Sequence, residues 1–153
     1  KGGRNIAVIS DAGTPGISDP GFLLVRAALE AEIEVQCLPG PTALIPALVQ
    51  SGLPCERFVF EGFLPPKKGR VSRLESLATE PKTVVLYESP HKLLKLFDQM
   101  VPFFGAARSV AVVRELSKLY ESTFRGTLAE AHTFFSEHKP KGEFVIVVEG
   151  FKN

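Results

Sequence analysis

The chain has little with which to hold a metal or a disulfide framework. Its 153 residues include two cysteines, Cys37 and Cys55, with no C-x-x-C spacing. That pattern argues against a disulfide scaffold or structural zinc, and for two buried thiols in a reducing compartment. The three histidines, His91, His132 and His138, stand apart from any cysteine and lack H-x-x-H spacing. They read as helix or surface residues and not as metal ligands. No apolar run approaches the ~20 residues of a membrane span. Lys1-Gly2-Gly3-Arg4 leads into an apolar run too short for a signal peptide. Net charge is only +1, so any nucleic-acid contact must come from a local patch and not from the whole surface. There is no G-x-G-x-x-G fingerprint, no Walker loop, no internal repeat and no low-complexity segment.

What is present is an ordinary globular composition, 44% hydrophobic and 23% charged. A chain of this length can bury roughly 70% of its unfolded surface, enough for a real core. The stretch around which the rest is arranged is Ser10-Asp11-Ala12-Gly13-Thr14-Pro15-Gly16-Ile17-Ser18-Asp19-Pro20-Gly21. It joins an apolar run (residues 5–9, predicted strand) to an amphipathic one (19–31, predicted helix, with Asp19 as N-cap and Pro20 at N1). Most such loops need only ~2–6 residues, and longer ones are often functional. In open α/β sheets, ligands sit on loops at the carboxyl ends of strands.

A second strand is predicted at 34–38. A helix follows at 42–51, with Leu44, Ile45, Leu48 and Val49 on one side and Pro46 in its first turns. Ser51-Gly52-Leu53-Pro54 breaks the pattern and marks a boundary, with residues 1–53 before it and 54–153 after it. Beyond it, strands are predicted at 57–61, 82–87, 109–114, 120–125 and 143–149. Helices are predicted at 71–78 (with Val71, Leu74 and Leu77 in register), 91–101 (opened by Ser89-Pro90, with Leu93, Leu94, Phe97 and Val101 inward) and 128–137 (capped by Thr127). The strand at 120–125 alternates and is expected to pair antiparallel. The fold class is therefore α/β: a partial N-terminal parallel α/β unit, then a complete C-terminal mixed-sheet α/β domain.

SDAGTPGISDPG, LPGPTALIPALVQSGLP, FEGFLPPK, VVLYESPHKL, VVREL, RGTL and GEFVIVVEG follow one another along almost the whole chain. In this order they resemble the ribosomal RNA small-subunit methyltransferase I family, within the tetrapyrrole (corrin/porphyrin) methylase superfamily. The family carries an earlier first strand and a PIGNL-like loop, so the chain reads as lacking that N-terminal segment. The resemblance implies a tetrapyrrole-methylase-like fold and S-adenosylmethionine bound in a cleft between two α/β domains, with S-adenosylhomocysteine as product. It implies 2′-O-methylation of a cytidine in small-subunit (16S) ribosomal RNA, a homodimer, and a cytoplasmic enzyme with no membrane partner. Two other readings stay open: a tetrapyrrole or other small-molecule methyltransferase of the same fold, and a truncated, non-catalytic domain that binds RNA or a partner.

The cofactor contacts implied are Asp11, Ala12, Gly13, Thr14 and Pro15 in the first loop, and Thr42 and Ala43 in the PGPTA motif. Tyr87, Glu88, Leu116 and Phe144 are implied at strand ends. Plain structural roles compete with each: backbone hydrogen bonds for Asp11, an N-cap for Thr42, core packing for Tyr87 and Phe144. Lys67, Lys68, Arg70 and Arg73 form the one dense basic cluster, in a loop with Phe63, Pro65 and Pro66. Mixed basic and aromatic loops suit RNA backbone and exposed bases, although a solvated loop has the same look. Arg114 is expected to hold a phosphate, and Glu88 or Glu115 to accept a proton, unless ordinary salt bridges explain all three. The catalytic base is left unassigned.

Overall fold

The computed structural model describes residues 3–152. Contacts divide the chain into two units, one ending at Thr42 and the other beginning at Ala43. The division falls before the helix at 44–51, whereas the sequence pattern breaks after it.

Among the described residues of the first unit the one regular element is α1 (Phe22–Glu30), and it buries no residue. Neither 5–9 nor 34–38 is a strand, contrary to expectation. A strand exists only through its ladder, and two short segments make at best a marginal sheet. The apolar side chains stay outside: Ile9 is 87% exposed and Leu38 77%. The helix also begins later than Asp19-Pro20 suggests, with Gly21 as N-cap. Gly16, Ser18 and Gly21 all have positive φ, 86°, 58° and 148°. A right-handed helix cannot pass through these positions. At its far end α1 closes with Glu32 at φ 55° and the Ile33 amide donating to the Ala28 carbonyl at 2.9 Å. This is a Schellman-type stop with glutamate where glycine is usual.

The second unit opens with α2 (Leu44–Ser51), β1 (Phe58–Phe63) and α3 (Arg70–Ala78). It continues with β2 (Thr83–Glu88), α4 (Leu93–Phe104), β3 (Ser109–Arg114), β4 (Ser122–Thr127), α5 (Leu128–Glu137) and β5 (Phe144–Val148). The five strands form one mixed sheet in the order β1-β2-β5-β3-β4. β1 and β2 are parallel; β5 runs antiparallel to both β2 and β3, and β4 antiparallel to β3. Five strands and three helices after residue 57 match the expected mixed domain.

Each face of this sheet has its own core, because successive strand residues point to opposite sides. Val84, Leu86, Val110, Val112, Phe144, Ile146 and Val148 pack with α3, α4 and α5. Val85, Ala111, Val113, Val145 and Val147 pack with Ala47 and Leu48 of α2. The buried stripe of α2 is thus Ala47, Leu48 and Ser51, with Leu44 packed at its margin. Ile45 and Val49, expected on the same side as Leu44 and Leu48, are exposed. The i, i+3, i+4, i+7 row from Leu44 selects one side of the helix, and positions one residue further round lie off it. Val71 is likewise exposed while Leu74 and Leu77 are buried.

Strand bounds shift by one or two residues from those expected. α4 starts at Leu93 with Lys92 as N-cap, so Ser89-Pro90 does not cap it; instead the Lys92 amide closes a turn onto the Ser89 carbonyl at 3.1 Å. α5 starts as expected, with a full capping box: Thr127 Oγ1 accepts the Glu130 amide at 3.2 Å, and Glu130 Oε2 accepts the Thr127 amide at 2.8 Å. Both cysteines are exposed and not buried as expected. Cys37 lies in the unladdered 34–38 segment and Cys55 in the connection from α2 to β1, so neither meets a core. Among the described residues no helix is long and apolar enough to cross a membrane.

Candidate functional site

At one end of the sheet β2 and β3 finish while β5 begins. Glu88, Phe144 and Arg114 stand side by side there, with Ser122 beyond them. Two-residue periodicity then sorts the expected contacts. Tyr87 lies on the α2 face, and Ala43, Leu44 and Leu116 pack against the same cluster as Tyr87. Glu88 and Phe144 fall on the opposite face. Phe144 is 2% exposed and sets its ring edge-on to Phe135, with centroids 5.6 Å apart. It is a core aromatic, and the strand pleat removes it from the side that carries Tyr87.

Glu88 is 5% exposed and fully engaged. Its Oε2 lies 3.6 Å from the Arg70 guanidinium, and its Oε1 accepts the Ser89 amide at 2.8 Å. Arg70 is also buried, and donates to Gln99 Oε1 at 2.7 Å and to the Pro65 carbonyl at 3.3 Å. Arg70 is therefore not a surface cation, contrary to its place in the basic cluster. It ties the loop before α3 to the end of β2 and to α4. A buried ion pair with further hydrogen bonds on both partners is a positioning device.

Glu115 follows β3 at φ 50°. Its carboxylate accepts the Glu143 amide at 2.8 Å and Lys118 Nζ at 3.2 Å, and its own amide donates to the Glu143 carbonyl at 2.9 Å. The Glu143 N–H first, and Lys118 after it, hold this carboxyl below the usual range. A carboxylate so stabilised is a weak base. Arg114, half-buried, gives its Nε to the Lys141 carbonyl at 2.7 Å. The ordinary structural readings of Glu88 and Glu115 thus prevail over a proton-accepting role.

The remaining cations of the basic cluster separate by exposure. Lys67 and Lys68 are exposed, and no ion pair is formed by either among the described residues. Arg73 grips Glu61 of β1 through both guanidinium arms, Nε to Oε1 at 2.7 Å, and the Glu61 hydrogen bond raises its pKa. Sequence reasoning missed this pair, since twelve residues and a loop separate its members.

In the first unit, two motifs far apart in sequence meet. Thr14 Oγ1 donates to the Pro41 carbonyl at 3.0 Å. Gly13 has φ 79°, and a Cβ there would stand 3.4 Å from the same Pro41 oxygen. Ser10 Oγ lies within hydrogen-bond distance of the Ala12 and Gly13 carbonyls, at 2.9 and 3.1 Å. The loop is therefore tied by Ser10 and Thr14, and not by Asp11, which is exposed beside Ala12. Thr42 is not the N-cap of α2; that position is Ala43, and it makes no side-chain cap bond. The histidines are dispersed. His132 Nε2 meets Asp98 Oδ1 at 2.9 Å, His138 at the end of α5 stacks on Phe134, and His91 sits in the turn before α4 and not on a helix.

The family of Tetrapyrrole (Corrin/Porphyrin) Methylases matches residues 1–132. A ribosomal RNA small subunit methyltransferase I from Synechocystis is 55% identical over 149 residues, 97% of this chain and 53% of that protein. The same-named proteins of Escherichia coli O157:H7 and Thermotoga maritima are 47% and 43% identical over 98% of this chain, covering 54% and 67% of their own lengths. The chain thus spans about half the length of most of the curated relatives it matches. Among solved structures, the methyltransferase CobJ superposes with a TM-score of 0.68 at 19% identity, covering 90% of this chain and 62% of that one. A uroporphyrin-III C-methyltransferase from Thermus thermophilus, complexed with S-adenosyl homocysteine, gives 0.63 at 18% identity, with coverage of 90% and 62%. The mixed sheet, the paired loops and these matches lead to one conclusion: the chain belongs to the tetrapyrrole (corrin/porphyrin) methylase family.

Proposed function

We propose that this chain is part of an S-adenosylmethionine-dependent methyltransferase that 2′-O-methylates a cytidine of small-subunit ribosomal RNA. One observation carries the reading. Relatives named ribosomal RNA small subunit methyltransferase I share 43–55% identity over 97–98% of the chain. The likeness to CobJ and the uroporphyrin-III enzyme, below 20% identity, supports the fold and does not favour a small-molecule substrate.

The residues present fit the cofactor. Gly13 keeps a left-handed backbone, φ 79°, that residues with a side chain rarely adopt, so the loop can lie close to a ligand there. In the second unit Tyr87, Leu116 and Ala43 offer apolar surface at strand and helix ends, as adenosine binding requires. On this reading Asp11, Ala12, Gly13, Thr14, Pro15, Thr42, Ala43, Tyr87 and Leu116 remain cofactor candidates; Glu88 and Phe144 do not. When bound, S-adenosylmethionine supplies an electrophilic methyl group on a sulfonium. The protein's task is then chiefly to orient a ribose hydroxyl, and positioning of this kind contributes about 7–11 kcal/mol. Arg114, at the end of β3, is the candidate phosphate contact. A homodimer working in the cytoplasm belongs to the same proposal.

The test is a calorimetric titration of S-adenosylhomocysteine into the chain, paired with methyl-label transfer to unmodified small-subunit ribosomal RNA. Saturable binding and ribonuclease-sensitive label are expected. Label that survives ribonuclease would move the substrate to a small molecule. Absence of cofactor binding would leave a non-catalytic domain.

A further inference from the structure

β1 contains a bulge. Phe58 and Phe60 pair with Thr83 and Val85 of β2, but the next partners are Gly62 with Leu86 and Phe63 with Tyr87, so Glu61 is an extra residue. Gly62 takes φ 67° there. Without the insertion, alternation would put Gly62 on the face of Phe58 and Phe60 and turn Phe63 to the other side. With it, Phe63 joins Tyr87, and their rings meet edge-on with centroids 5.6 Å apart. Bulges of this kind re-aim side chains beside functional sites. The bulge is held from outside by Arg73 of α3, which grips the Glu61 carboxylate.

The re-aimed ring does not fill the core. Phe63 is 56% exposed although Phe60, two rows back, packs against the cluster. A phenylalanine ring held in a T-shaped contact with a tyrosine and still more than half exposed is a platform. The loop that follows is anchored at both ends: Leu64 is buried, the Pro65 carbonyl accepts from Arg70 Nη1, and the Lys67 carbonyl accepts from the Arg70 amide at 3.3 Å. Charge is unbalanced at its tip. Glu61 and Glu88, acids at this end of β1 and β2, are taken by Arg73 and Arg70. Lys67 and Lys68 are left without an acid among the described residues. Lys67 is four residues beyond Phe63, so their Cα atoms lie within ~14 Å.

From this arrangement we infer that Phe63 stacks on an unpaired base of single-stranded RNA while Lys67 and Lys68 hold the adjacent phosphates. The inference rests on the RNA reading of the previous section and deepens it by naming the contact. Unstacked bases are what aromatic side chains capture in RNA, and paired lysines follow the backbone without reading sequence. The Glu61 bulge and Arg73 are positioning elements: they turn the ring outward and touch no nucleotide.

The test measures binding of a short fluorescein-labelled single-stranded RNA by anisotropy, with S-adenosylhomocysteine titrated separately by calorimetry. Phe63→Ala should weaken RNA binding roughly tenfold, and Phe63→Trp should keep it. An abasic nucleotide at the stacked position should erase the difference between Phe63→Ala and the parent. Lys67→Ala with Lys68→Ala should flatten the log–log salt slope by about 1.4, two phosphates at ~0.7 each. If Phe63→Ala binds RNA as the parent does while the lysine variant is weakened, RNA binding stands and the stacking contact is overturned. If Phe63→Ala instead weakens S-adenosylhomocysteine, the ring serves the cofactor and the inference is wrong. If the parent binds no RNA, the site and the RNA reading fall together, and the calorimetry still reports on the methyltransferase reading. Loss of the platform does not open the core, since the ring is more than half exposed.

Discussion

A buried charge without its partner is among the costliest single defects a fold can carry. Arg70 and Glu88 are 8% and 5% exposed and lie across one ion pair. Glu88→Ala should therefore destabilise the second unit by about 3–5 kcal/mol, because the Arg70 guanidinium would stay behind uncompensated. Replacing both together, as Arg70→Met with Glu88→Leu, should cost far less; urea melts of the three variants would show it. Glu115 makes the opposite kind of bond, at the surface. Its pKa is below the ordinary 4.5 in the folded chain, through the Glu143 amide and then Lys118. In acid the unfolded chain then binds the proton more readily. The stability from this carboxylate is complete above its ordinary value and is lost as pH falls through the lowered one. Glu115→Gln should flatten the acid limb of a stability–pH curve below the ordinary carboxylate value, and an unchanged limb would show that the contact contributes nothing. The facing Gly142, at φ 87°, would drive a Cβ into the Glu115 side chain. Gly142→Ala should cost about 2 kcal/mol, from the left-handed backbone and the displaced carboxylate.

Helix ends show how far local chemistry determines an element. α5 begins at Thr127 because the side chain and backbone of Thr127 and Glu130 satisfy each other's amides. Thr127→Ala should lower stability by about 1 kcal/mol, and Thr127→Ser should restore most of it, read as melting temperatures. The same rule misplaces α1 and α4. Asp19-Pro20 and Ser89-Pro90 both look like caps, yet each precedes a turn. Left-handed positions at Gly16, Ser18 and Gly21 hold off α1, and the Ser89–Lys92 turn holds off α4. Pro102 likewise does not end α4, which runs to Phe104. A proline in the last turn removes one hydrogen bond, and the burial of Met100 and Phe104 offsets the loss. Glu61-Gly62 carries no signal a reader of sequence would separate from any other strand, and the partner that steadies it is on another element.

The two units differ in what they bury. The second has a double-faced sheet with a core on each side. The first contributes no buried residue from α1 and leaves Ile6 81% exposed. Amide-hydrogen exchange should therefore be slow in β2, β3 and β5 and fast throughout residues 5–38, since opening costs little where few apolar contacts are lost. Limited proteolysis should cut first before Ala43 and leave the remainder folded. Equal protection in both units would contradict the burial pattern.

The family and the mixed α/β class were legible in order and composition alone, because motif order and apolar periodicity are properties of the chain. So were the five strands of the second unit, four of them from apolar runs and β4 from its alternation. The fates of 5–9 and 34–38 were not: a run of apolar residues states a wish to be covered and does not supply the cover. The residues of the candidate site divided on the same principle. Tyr87, Leu116 and Ala43 share one face, whereas Glu88 and Phe144 were drawn to the other by the strand pleat. Arg70, one of four basic residues alike in sequence, was withdrawn into the core by Glu88. Sequence lists charges and rings one after another; only the tertiary structure decides which of them meet, because neutralisation and burial depend on partners brought from distant positions.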